Sequence, residues 1–192
     1  MKTNILIVAI TTLAIAGCTG TQVKISPESS ALEQSFNSSY SSVGVRDVPA
    51  EKNLPVTGNL TEAFSNEIRS SGFAKEVYYP FRPNDKTDIM LDSQFNAELD
   101  THPGSTFAKA FFTGFTLFLF EPFFWYDFDY TLAGNVDVIK DGKVLKRVNA
   151  KTDATVSVKW LSLSEVAKLE GEALVKAKKS LFQQLMHSIG KQ

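Results

Sequence analysis

The chain has 192 residues, 43% of them apolar and 21% charged, and a formal charge of −1, which suits one domain and a tail at about 100 to 200 residues per domain. With no basic excess and no basic stripe, the sequence argues against nucleic acid as a partner, because phosphate tracking needs surplus Lys and Arg. The single cysteine excludes an internal disulfide, so core packing has to hold the fold.

Residues 1–17, MKTNILIVAITTLAIAG, have the layout of an export signal. Lys2 supplies the positive end, Ile5 to Ile15 the apolar run, and Ala16-Gly17 the small residues before a cut. The run is too short to span a bilayer as a mature helix. Ile15-Ala16-Gly17-Cys18 resembles the lipobox of bacterial lipoproteins, a Leu-Ala/Ser-Gly/Ala-Cys pattern, with Ile15 in place of the commoner leucine. The resemblance implies cleavage before Cys18 and a diacylglycerol thioether plus an N-acyl chain, such as palmitate, on that cysteine. Two or more acyl chains hold a protein durably at a membrane. It also implies, from Thr19 rather than aspartate after the cysteine, the periplasmic side of the outer membrane. A lipidated Cys18 leaves no thiol for catalysis or metal binding.

Residues 18–42 hold eight serines from Thr19 onward and read as a tether, within which Val23-Lys24-Ile25 suits a short strand. Fully flexible, about 24 residues reach roughly 25 to 30 Å. The folded domain is expected over 43–192. Val43 and Val45 alternate as in a strand. NLTEAFSNEIRSSGF reads as a helix, with Asn59 and Glu62 as a capping box, Leu60, Ala63, Phe64 and Ile68 on one face, and Gly72 as the stop. EVYYPF is a short strand ended by Pro80.

Asp88–Asp100 alternates strictly, with Ile89, Leu91, Phe95, Ala97 and Leu99 on one face and Asp92, Gln94, Asn96 and Glu98 on the other. It predicts a strand with one buried side. Asp127–Lys140 and the stretch from Lys143 to Trp160 alternate likewise. Asp141-Gly142 between them is a two-residue hairpin signal, since both turn positions need positive φ. A closing helix from Ser162 or Ser164 to Ser188 carries Val166, Leu169, Ala173, Ala177, Leu181, Leu185 and Ile189 along one face, and Gly190 terminates it. The sum is an α+β fold: an antiparallel sheet of four or five strands with two helices packed on one face. By element order alone it is similar to small envelope lipoproteins of the lipopolysaccharide-assembly and transport-auxiliary types.

Eight of the fifteen phenylalanines fall between Ala110 and Phe128, and no charge lies between Lys109 and Glu121. The run, about half the length of a spanning helix, ends at Glu121-Pro122, so it reads as an insertion over 104–126, helical or irregular, between two strands. Three roles stay open for it: core, partner interface, or membrane contact through its aromatics. The candidate contact residues are Phe111, Phe112, Phe115, Phe118, Phe120, Phe123, Phe124, Trp125 and Tyr126.

For catalysis the inventory is thin. His187 suits a helix C-terminus and His102 a strand-end turn. Asp127 and Asp129 share one side of a strand as a plain in-out pattern would place them. No HExxH, GxSxG, P-loop or GxGxxG motif occurs, and no metal or cofactor is expected. The sequence therefore points to a lipid-anchored, non-enzymatic accessory or scaffold of envelope assembly or transport. It would meet an envelope partner, the membrane or a second copy of itself through 107–126. The alternative is a carrier of lipid or another apolar ligand.

Overall fold

The computed structural model describes residues 20–27, 40–49, 57–100, 109 and 124–190. Its elements are strands β1 (Thr21–Ser26) and β2 (Tyr40–Asp47), helix α1 (Leu60–Ser70), and strands β3 (Ala74–Tyr78), β4 (Ile89–Asp100), β5 (Trp125–Lys140) and β6 (Lys143–Lys159). A 3₁₀ turn (Trp160–Glu165) and helix α2 (Val166–Gly190) follow. The strands lie in the order β1-β6-β5-β4-β2-β3.

Two compact units divide these residues. Among described residues, the first holds 20–24, 100, 109, 124–129 and 154–173; the second holds 25–27, 40–49, 57–99, 130–153 and 174–190.

The second unit contains the main core. Asn59 Oδ1 accepts from the Glu62 amide at 3.0 Å to start α1, and Ser71 N donates to Glu67 O at its end. Gly72 follows with φ 71°, the left-handed exit that glycine makes cheap. Phe64 of α1, Phe95 of β4 and Phe182 of α2 form a ring trio with centroids 5.3 to 5.6 Å apart, which puts both helices on one face of the sheet. Gly134 admits this cluster: a Cβ there would stand 2.8 Å from the Phe95 ring and 3.0 Å from Leu185. The alternation read in the sequence is the burial pattern over most of each strand, with Ile89, Leu91, Phe95 and Ala97 inside on β4 and Tyr130, Leu132, Val136 and Val138 on β5; Leu99, expected on the same buried face, is exposed at the far end of β4, past the last β2 pair at Ser93. Asp141 and Gly142 take φ of 50° and 74°, as the β5–β6 turn requires.

The sheet departs from the expected antiparallel one. It has six strands, and β2 runs parallel to both neighbours. The β2–α1–β3 segment is a crossover that returns the chain in the same direction, which a helical connection allows and a tight turn does not. The two partners are staggered: β3 pairs with Tyr40–Gly44, while β4 pairs with Val43–Asp47. Tyr78 at the end of β3 sits opposite Gly44, and Ile89 at the start of β4 opposite Val43. Residues 79–88 therefore cross over β2 rather than travel back along it.

The crossing is held on both sides. Phe81 N donates to Val45 O at 3.0 Å, and Asp88 N to Ser42 O at 3.1 Å. The Asp88 carboxylate accepts from the amides of Ser41 and Ser42 at 2.7 and 3.1 Å. Phe81 lies on Gly44, where a Cβ would meet its ring at 2.4 Å. Gly44 faces away from the helices, since its neighbours Val43 and Val45 share the face of Ile89 and Leu91.

Two further expectations change. The strand suggested at Val23-Lys24-Ile25 is present and longer, Thr21–Ser26 beside β6, and β2 opens at Tyr40 rather than Val43. The aromatic insertion gives up its last two residues, Trp125 and Tyr126, which open β5. Mixed aromatics suit a strand as well as an insertion, so composition does not place that boundary.

Replacing Gly44 with valine drives a branched side chain into Phe81 and should destabilise the protein by about 1 to 3 kcal/mol, read as a lower urea midpoint at unchanged slope. Leu185→Ala, which empties a fully buried site, should cost about 2 to 5 kcal/mol in the same assay.

Candidate functional site

On the helix-free face of the second unit a cleft of about 480 Å³ is lined by Val48, Asp92, Gln94, Asn135, Asp137, Arg147 and Asn149. Strand parity produces it: each lining residue of β4, β5 and β6 alternates with the buried positions of its strand. Arg46 stands opposite Asp92 in the β2–β4 register and grips it with two nitrogens, Nε donating at 2.7 Å and Nη2 to the other oxygen. Arg147 makes the same fork on Asp137 across the hairpin, at 2.6 and 2.7 Å. Gln94 Nε2 donates to Pro49 O at 2.9 Å.

The guanidinium hydrogen bonds hold the Asp137 carboxyl below its ordinary range, and Asp137 in turn raises Arg147. The Asp92 bond likewise raises Arg46. Each carboxylate is thus committed to a cation. What the cleft offers a ligand is hydrogen bonding from amides beside two neutralised forks. No group of three or more His, Cys, Asp or Glu among the described residues could hold a metal ion.

A second cluster lies in the first unit, around the start of β1. Lys159 N donates to Gly20 O at 2.9 Å, and Gly20 N reaches Ser162 Oγ at 3.4 Å. Trp125 closes over Gly20, its Cη2 atom 3.0 Å from where a Cβ would stand. Lys159 Nζ sits 5.4 Å from the centre of the Trp125 ring, and Lys109 Nζ 5.6 Å from that of Tyr126. Lys109 also donates to Trp125 O.

Of the contact residues read from sequence, Phe111, Phe112, Phe115, Phe118, Phe120 and Phe123 lie outside the described residues, as do Cys18 and His102. Phe124, Trp125 and Tyr126 are described, each half-buried, and the last two join the Gly20 cluster. His187 lies in the last turn of α2, where the sequence put it. The sequence reading missed the cleft residues Asn135, Asp137, Arg147 and Asn149 and the Arg46 that grips Asp92. The polar parity of β4 was visible, but which strands would lie beside it was not. No described helix is long and apolar enough to cross a membrane.

No family model and no curated protein matches the chain. Among solved structures it is similar to the PelC dodecamer from Paraburkholderia phytofirmans, at 14% identity and a TM-score of 0.37. A single-site variant of that dodecamer gives 12% and 0.37. Both alignments cover 84% of this chain and 98% of the other. A likeness at that score supplies no argument about function.

Arg147→Ala should return the Asp137 carboxyl upward toward an ordinary value near 3.9, followed by carboxyl-carbon NMR through an acid titration. A depressed folded-state pKa stabilises above the unfolded value and is lost as pH falls through the folded one. The variant should therefore lose less stability on acidification than the parent. At neutral pH the pair, exposed and screened by solvent, should add little to stability, so the variant's urea midpoint there should stay close to the parent's.

Proposed function

We propose that the protein is a lipid-anchored lipoprotein at the periplasmic side of the outer membrane, a non-enzymatic accessory or scaffold of envelope assembly or transport. Acyl chains on Cys18 hold it there, and residues 107–126 contact an envelope partner or the membrane. The non-enzymatic part rests on the sequence, where no catalytic motif occurs.

The anchor is supported by the lipobox-like Ile15-Ala16-Gly17-Cys18, and the observation that bears on how it would act is that Gly20, two residues after Cys18, is bonded to Lys159 and Ser162 and lies under Trp125. At about 3.3 to 3.6 Å per residue, a lipid on Cys18 lies within about 7 Å of Gly20, the residue before β1. An acyl anchor so placed holds the first unit against the bilayer surface instead of letting it swing on a long tether. The carrier alternative gains nothing from the cleft, whose walls are polar rather than apolar.

Metabolic labelling with palmitate in a double-membraned bacterium should mark the wild-type chain and leave Cys18→Ser unmarked, with the label in the outer-membrane fraction. Label persisting in Cys18→Ser, or absent from the wild type, overturns the anchor.

A further inference from the structure

The Gly20 cluster has a geometry that an ordinary protein contact does not require. Trp125 and Tyr126 are consecutive residues of β5, so their side chains leave the strand on opposite faces. Each carries a lysine on its ring: Lys159 on Trp125 and Lys109 on Tyr126. One level of the strand end is therefore ringed on both faces by an aromatic and an ammonium, and Gly20 lies at the same level under the Trp125 ring. A docking patch for a protein would occupy one face. A belt at one level on both faces is what a planar boundary across the strand end selects.

The sequence changes character at that level. From Ala110 to Tyr126 the sequence carries a single charge, Glu121, whereas Asp127 and Asp129 follow directly along β5. Trp and Tyr favour the depth where acyl chains give way to headgroups. Lysines beside them can bury their stems and keep the ammonium among phosphates. The Lys109 ammonium, which donates to Trp125 O, has three protons and so retains donors for a phosphate oxygen.

We infer that Trp125, Tyr126, Lys109 and Lys159 form a membrane-interface seat that takes phospholipid headgroups beside the lipidated cysteine. The seat rests on the lipoprotein reading for its position, and it converts the anchor from a point attachment into an oriented one. The acyl chains fix depth at Gly20, and the two aromatic–ammonium pairs fix tilt, because they grip the boundary on opposite faces of β5. Of the three roles open to 107–126, membrane contact is thereby assigned to its C-terminal end.

The test uses the full chain with Trp160→Phe, which leaves Trp125 as the sole tryptophan of two. It is reconstituted in vesicles of phosphatidylethanolamine and phosphatidylglycerol doped with bromine-labelled phosphatidylcholine, while mass spectrometry of the Cys18 peptide reports acylation. The seat predicts blue-shifted Trp125 emission that is quenched by the brominated lipid and shielded from aqueous acrylamide. An acylated chain whose Trp125 is reached by acrylamide and not by bromine overturns the seat and leaves the anchor standing. In an unacylated chain, or in Cys18→Ser, the anchor is lost and the same quenching decides the seat alone: bromine quenching upholds it, and its absence overturns it. Should Trp160→Phe fail to fold, Lys109→Gln and Lys159→Gln in the otherwise native chain carry the measurement. In Cys18→Ser, each should lower partitioning into the anionic vesicles about fivefold, and unchanged partitioning overturns the seat.

Discussion

The second unit is organised by the demand on β2, whose backbone is used by parallel strands along both edges. Parallel neighbours cannot be joined by a hairpin, so each connection has to leave the sheet. One leaves as α1 on the helical face; the other, 79–88, passes over the opposite face. The two routes cover both sides of β2, which explains why Val43, Gly44 and Val45 are all buried in succession. Gly44 is the one place where the second route lies directly on the backbone, and the Asp88 carboxylate bound to two β2 amides fixes where it comes down. The core trio of Phe64, Phe95 and Phe182 then packs on a sheet whose register is already set.

Much of this was legible where a local rule had a single solution. The Asn59 cap, the Asp141-Gly142 turn and the alternation of β4 are each decided within a few residues. The direction of β2 was not, because in-out alternation is the same in parallel and antiparallel strands; only the staggered pairing separates them. β1 was nearly hidden, because its only apolar residues are Val23 and Ile25 and the surrounding serines mask a strand of six. The expected interruption between β4 and β5 was placed too far along the chain for a related reason: Trp125 and Tyr126 satisfy strand and insertion preferences alike.

The two polar features were readable to different degrees. Alternation put Asp92 and Gln94 on a non-core side, but the cleft exists only because β6, β5, β4 and β2 are ordered so that these two converge with Asp137, Arg147 and Asn149. The pairing of Arg46 with Asp92 is a consequence of β2 running parallel to β4, so it was invisible for as long as the strand direction was. The Gly20 cluster joins residues separated by up to 142 positions, and no local pattern brings them together.

The short first strand has a mechanical consequence. With an anchor at Cys18, any pull between membrane and protein enters the fold at Gly20 and loads β1 before any other strand. Peeling off its six residues would pass the load to Pro27, whose carbonyl accepts from Ser180 Oγ of α2 at 2.7 Å, while β2 to β6 keep their pairing. Such an edge strand works as a fuse, giving way before the rest of the sheet is loaded.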